Sequence, residues 1–207
     1  KTLVDTVASL IAQGLVPLET IAQDGMRVRA SAGSSSFRRE PTLKSLQEQA
    51  QAHLDRLKKE SEGERDQSGG DARRQSAVER AARERKERID EALRQYEELS
   101  KHRESRKKGD GAKTRVSTTD PDARKMKMAN GGFDPAFNVQ FATDADARVI
   151  VAVDVTNSGA DSGQMEPMHE KVSSTYDKTP KTQLVDSAYA TKEDVKIVES
   201  KGTEVVS

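Results

Sequence analysis

The chain has 207 residues, 33% hydrophobic, 3% aromatic and 34% charged, with 35 basic and 35 acidic side chains and a mean hydropathy of −0.84, too polar to form one continuous core. The charge is segmented: residues 38–113 are net +4, residues 114–207 net −4, and residues 1–37 balance. Cysteine is absent, which excludes disulfide frameworks, thiolate metal sites and cysteine nucleophiles, and the longest aliphatic run, Val149–Val153, falls far short of the ~20 apolar residues of a membrane helix.

Thr2–Gln13 sets Leu3, Val7, Leu10 and Ile11 at helical spacing before Gly14, which predicts a short amphipathic helix with a glycine stop. After Pro17, LETIAQDGMRVRAS reads as an extended segment interrupted or bent at Asp24–Gly25, with a carboxylate inside it. From Pro41 apolar residues recur every three or four positions, first at Leu43, Leu46, Ala50, Leu54 and Leu57, then at Val78, Ala82, Ile89, Ala92, Leu93, Tyr96 and Leu99. This predicts two charged helices with thin apolar seams, the second over about 71–102, folding back as a hairpin through a turn at Gly69–Gly70. KHRESRKKGDGAKTR, residues 101–115, holds seven lysines and arginines against two acids and reads as a basic linker.

Beyond it, Phe137, Val139 and Phe141 alternate with Asn138 and Gln140, and DADAR leads into VIVAVDVT: an antiparallel pair of strands, the second expected to be the more buried. Asp161 or Ser162 is placed to cap a helix bearing Met165, Met168 and Val172 on one face, with Gln164 answering the cap. TQLVDSAYA is strand-like, Thr191–Asp194 resembles a capping box for a further helix, and Lys201–Gly202 closes it before the strand TEVVS. The divisions expected are residues 1–40, a charged insertion with its basic linker at 41–113, and 114–207. The alternation predicts an α/β fold with a mixed sheet interrupted by a long helical hairpin.

In such a sheet Asp24 and Asp186 can be neighbours. Two acids on adjacent strands repel each other unless a cation lies between them, and carboxylate with water is the ligand set magnesium prefers. At this point the order of elements and the local words resemble the DDE transposases of bacterial insertion sequences. The likeness is carried by IAQDGMRVRAS with SFRRE, by STTDPDARKMKMANGGFDPAFNVQ, by IVAVDVTNSGADSGQMEPM and by LVDSAY. It implies a ribonuclease-H-like core, metal-dependent DNA cleavage and strand transfer, Mg2+ or Mn2+ as cofactor, and Asp24 and Asp186 as catalytic, metal-holding acids. It further implies DNA partners (transposon ends and target), a homo-oligomer when full length, and a cytoplasmic, nucleoid-associated place. The family's third acid, a glutamate, is expected beyond Ser207, since both ends of the sequence read as cuts through a longer protein. Met26, Arg27 and Ser187–Ala188 depart from the family's usual residues.

Each motif also has a plainer reading. Asp-Gly is a common turn pair, and Asp186 can cap a turn at the end of its strand. Asp154 reads as an outward or turn-adjacent acid, Asp120 and Asp122 as shaping a turn around Pro121, and Asn138 and Gln140 as touching substrate or solvent. Arg38, Arg39, Arg103, Arg106, Lys107, Lys108, Lys113 and Arg115 are candidate contacts to DNA phosphates, or a solvated charged face. His53, His102 and His169 read as solvent-facing. The alternative to an enzyme is a non-catalytic coiled-coil or nucleic-acid-binding remnant of a decayed transposase, with the charged hairpin as its working part.

Overall fold

The structure, a computed structural model, describes residues 2–63 and 69–207, with side chains described outside 61–72. In chain order the elements are α1 (Thr2–Ala12), β1 (Thr20–Arg29), β2 (Phe37–Arg38), α2 (Glu40–Gly63), α3 (Gly69–Arg106), β3 (Val116–Ser117), β4 (Arg124–Lys127), β5 (Phe133–Asp144), β6 (Val149–Thr156), α4 (Met165–Tyr176), β7 (Thr182–Leu184), α5 (Lys192–Ser200) and β8 (Glu204–Val206). The protein is of the α/β class, and it divides into two compact units, Lys1–Arg29 with Met126–Ser207 and Ala30–Lys125.

The first unit holds the main sheet. β5 lies antiparallel to β1 on one side, from Ile21↔Asp144 to Arg29↔Ala136, and antiparallel to β6 on the other, from Asn138↔Thr156 to Asp144↔Val149. β7 runs parallel to β1, and β8 parallel to β7; β4 also pairs with β5. β1 is an unbroken strand of ten residues through Asp24–Gly25, so the expected interruption there is absent. The hairpin is inverted in burial relative to expectation: β5, flanked by strands on both sides, alternates buried positions along most of its length, while β6 has only two buried residues.

Three helices, α1, α4 and α5, dress one face. Met165, Met168 and Val172, spaced three and four apart on α4, are fully buried, and Met168 and Val172 meet Ile21, Ala142 and Val151 of the sheet together with Val7 of α1. Met165 joins Val185, Tyr189 and Val198 of α5 in an adjoining cluster. The predicted N-cap of α5 forms, Thr191 Oγ1 accepting from the Asp194 amide at 3.1 Å and donating to its carboxylate at 2.7 Å, while the Thr191 amide donates to the Tyr189 carbonyl at 2.8 Å instead of closing a capping box. The box expected for α4 does not form. Its N-cap residue is Gln164, which makes no side-chain cap bond, because Asp161 is engaged elsewhere, as described below.

In the second unit α2 and α3 pack along the predicted seams, with Leu43, Ala50, Leu54, Ala82, Ile89, Ala92, Leu93 and Tyr96 buried. α3 opens at Gly69, so the glycine pair expected in the turn belongs to the helix, and residues 64–68 lie outside the described residues. The basic stretch 101–115 is not a linker. α3 continues to Arg106, and the Glu104 carboxylate then accepts from the amides of Gly109 at 2.8 Å and Gly111 at 3.0 Å. Gly109 has φ +86°, a conformation glycine adopts at little cost. A short two-stranded ribbon, β2 with β3, and Val116 packed against Leu43, Ala92, Leu93 and Tyr96 complete this unit.

Candidate functional site

Side chains of β1 alternate between the two faces of the sheet. Ile21 and Gln23 are buried under the helices, whereas Asp24 is exposed on the opposite face, directly across from Phe141 of β5. The parallel β1–β7 register is Thr20↔Thr182, Ile21↔Gln183, Ala22↔Leu184, and two residues further along each chain stand Asp24 and Asp186. Val185 is turned under the helices and 9% exposed, and its neighbour Asp186 is exposed. Each carboxylate accepts one local hydrogen bond, Asp24 from the Gly25 amide at 2.7 Å and Asp186 from the Ser187 hydroxyl at 3.0 Å. Neither belongs to an ion pair among the described residues. No group of three or more His, Asp or Glu side chains is arranged to hold a metal among the described residues.

Directly behind Asp24, on the helix-covered face, lies a buried polar network. Gln183 Nε2 donates to Gln23 Oε1 at 2.9 Å, and Gln23 Nε2 donates to Gln140 Oε1 at 3.1 Å and to the Gln164 carbonyl at 2.9 Å. Gln140 in turn reaches Asp161 at 3.3 Å, which also accepts from Asn138 at 2.8 Å and pairs with Arg27 at 3.0 Å. The Tyr189 hydroxyl donates to Gln140 Oε1 at 2.9 Å. Burial first, and then the nearby Asp161 carboxylate, push that hydroxyl up to about 12, so it is a fixed proton donor at neutral pH. Asn138 and Gln140, expected at substrate or solvent, are 0% and 1% exposed. Gln140 is held by Gln23 of β1 and by Tyr189, and Asn138 donates to Asp161 in the loop before α4, so both amides are accommodated in the interior.

Gly25 is the seam of this network. A Cβ at that position would stand 2.3 Å from Gln140 Nε2, 2.7 Å from the Tyr189 hydroxyl and 3.0 Å from Asn138 Oδ1. The Asp-Gly pair is therefore no turn: the glycine sits in an extended strand because neighbouring side chains occupy the space of its missing methyl.

Asp154 forms an ion pair with Lys171 of α4 at 2.7 Å. Asp120 takes part in the expected turn, its carbonyl accepting from the Ala123 amide at 3.2 Å, while Asp122 accepts from Gln95, which also accepts from Arg124 at 2.6 Å. His169 is fully buried, against the expectation of a solvent-facing ring. Thr203 Oγ1 donates to the Pro180 carbonyl at 2.6 Å, so it accepts from His169 Nε2 at 2.8 Å, and Nδ1 is left without a partner. Burial, and then the Lys201 ammonium, hold the imidazole below its ordinary pKa.

The candidate DNA contacts all lie in the second unit. Arg38 pairs in the ribbon with Val116, and one step further the same register sets Arg39 level with Arg115, both exposed. Arg103 and Arg106 occupy the last turn of α3, followed by Lys107 and Lys108, all exposed, where cations are favoured by the helix dipole. Lys113 is held by Asp110 at 2.7 Å.

Among the described residues no helix is long and apolar enough to cross a membrane. Comparison of the chain with family models, with curated proteins and with solved structures gave no match in any of the three.

Proposed function

We propose that this chain carries two metal-holding carboxylates of a DDE-type DNA strand-transfer enzyme, Asp24 and Asp186, on a ribonuclease-H-like sheet. The observation that carries the reading is the β1–β7 register, whose constant offset of 162 residues, extended two residues past its last pair, sets those two exposed acids level with each other. The strand arrangement supports it: three antiparallel strands, β6, β5 and β1, continue into two parallel ones, β7 and β8, with an inserted helical hairpin between β1 and β5. The donor set fits a hard divalent cation such as Mg2+ or Mn2+, because each carboxylate keeps one oxygen outside any protein hydrogen bond and oxygen ligands with water are what these ions take. When bound, such ions supply activation of an attacking water or 3′ hydroxyl and stabilisation of the leaving oxygen of a phosphodiester. Asp24 and Asp186 hold them, and the exposed cations of the second unit, Arg38, Arg39, Arg103, Arg106, Lys107, Lys108, Lys113 and Arg115, give sequence-independent phosphate affinity.

Mn2+ titration of the chain, followed by electron paramagnetic resonance, tests the site. Asp24→Asn and Asp186→Asn are each expected to weaken Mn2+ binding by about tenfold or more while leaving the circular dichroism spectrum unchanged. Both side chains are exposed, so folding does not depend on them. Affinity for Mn2+ unchanged by both substitutions would leave the charged hairpin as the working part of the protein.

A further inference from the structure

We propose that Tyr189 is the positioning residue that fixes the Asp186 segment against β1 and so sets the separation of the two carboxylates; this rests on the two-carboxylate reading above. Backbone pairing between β1 and β7 ends at Ala22↔Leu184, and Val185 bonds to Val206 on the side away from β1. Asp186 therefore stands two residues past the last rung that ties its strand to Asp24. The segment instead closes on itself, the Tyr189 amide donating to the Asp186 carbonyl at 2.9 Å. From that turn the Tyr189 ring, 2% exposed, crosses beneath β1 and ends on Gln140 of β5 at 2.9 Å.

The hydroxyl passes under the residue next to Asp24. It lies 2.7 Å from where a Cβ of residue 25 would stand, so glycine at 25 and tyrosine at 189 are two halves of one fit. Gln140 is itself held by Gln23 and Asp161, so the hydroxyl lands on an acceptor that cannot swing away. One side chain thus links the turn bearing Asp186 to the strand bearing Asp24 from the face opposite both acids, without touching either carboxylate.

The chain has no cysteine, so a double variant, Asp24→Cys with Asp186→Cys, reports the separation directly through its rate of disulfide formation, which requires Cα atoms within about 7 Å. The expected result is a ready cross-link that slows roughly fivefold to tenfold when Tyr189→Phe is added, the factor carried by one buried hydrogen bond. Tyr176→Phe is the control: it also removes a tyrosine hydroxyl bond, to the Val151 carbonyl at 2.7 Å, and is expected to leave the rate unchanged. A Tyr189→Phe cross-linking rate equal to that of its parent overturns the proposal, as does failure of the parent to cross-link. Should Tyr189→Phe lose its circular dichroism signal, Gly25→Ala disturbs the same fit from the strand side: slower cross-linking supports the assignment and an unchanged rate overturns it. The two readings separate cleanly, because a chain that binds no Mn2+ yet cross-links in a Tyr189-dependent way loses the metal site and keeps the positioning role.

Discussion

Replacing Asp144 by alanine removes the acceptor on which a strained turn depends. Asp144 is fully buried; its carboxylate accepts from the Leu18 amide at 2.8 Å and from the Ala147 amide at 2.7 Å. It thereby joins the segment entering β1 to the turn leaving β5. Leu18 is itself fully buried with φ +52°, a left-handed conformation that costs a non-glycine residue about 1–3 kcal/mol and persists only where its surroundings over-determine it. Each hydrogen bond to a charged acceptor contributes about 1.5–3 kcal/mol. Relaxation of Leu18 returns part of its strain, so the net loss expected for Asp144→Ala is about 3–4 kcal/mol. That is a large share of the ~5–15 kcal/mol that holds a typical domain. Asp144→Asn, which keeps one acceptor oxygen, is expected to cost about half as much. Because the chain forms two compact units, a single global unfolding transition is not assumed, and amide hydrogen exchange resolved at Leu18 and Ala147 is the appropriate assay. Protection at both amides within about threefold of the parent in Asp144→Ala would refute this reasoning.

Three further outcomes are expected. His169 is buried with its pKa held below the ordinary value, so the unfolded chain takes up the proton first; stability is full above the unfolded value near 6.5 and falls as pH drops from there through the folded value. Amide hydrogen-exchange protection along α4, measured between about pH 7 and pH 5 and corrected for the intrinsic exchange rate, should show that decline, and His169→Gln should flatten it. Glu104→Ala removes the carboxylate that gathers the Gly109 and Gly111 amides, and exchange at those two amides is expected to accelerate by a factor equivalent to about 1–2 kcal/mol while the α2–α3 seam stays protected. Arg39→Ala and Arg115→Ala should each lower the slope of log affinity against log salt for non-specific duplex DNA by about 1, with no change of sequence preference; an unchanged slope would remove this ribbon end from the DNA-contact surface.

Many elements of both units were legible in linear order. Period-two alternation marked β5, a polar turn leading into an aliphatic run marked β6, three-and-four spacing marked α1, α2, α3 and α4, and the Thr191–Asp194 words marked the start of α5, because each signal reports a local preference of a few adjacent residues. The Glu104 turn was not legible, since a run of lysines and arginines reads as solvated chain until one carboxylate is seen to gather two amides across it. His169 escaped for the same reason: a histidine among polar helical residues declares nothing about the threonine, 34 positions later, that accepts its hydrogen bond.

The exposed pair of acids divides along the same line. The sequence by itself determined that Asp24 and Asp186 lie in or just after strand-forming stretches and that the chain is an α/β protein with a charged helical insertion. Only the tertiary structure decided that β7 lies beside β1 in a parallel register ending at Ala22↔Leu184, that the glycine after Asp24 is an extended residue packed against a tyrosine hydroxyl, and that Asn138 and Gln140 are interior. Local propensity is written in neighbouring residues, whereas the β1–β5 and β1–β7 pairings and the Gln23 contacts to Gln140 and Gln183 join residues more than a hundred positions apart, which no short window of sequence contains.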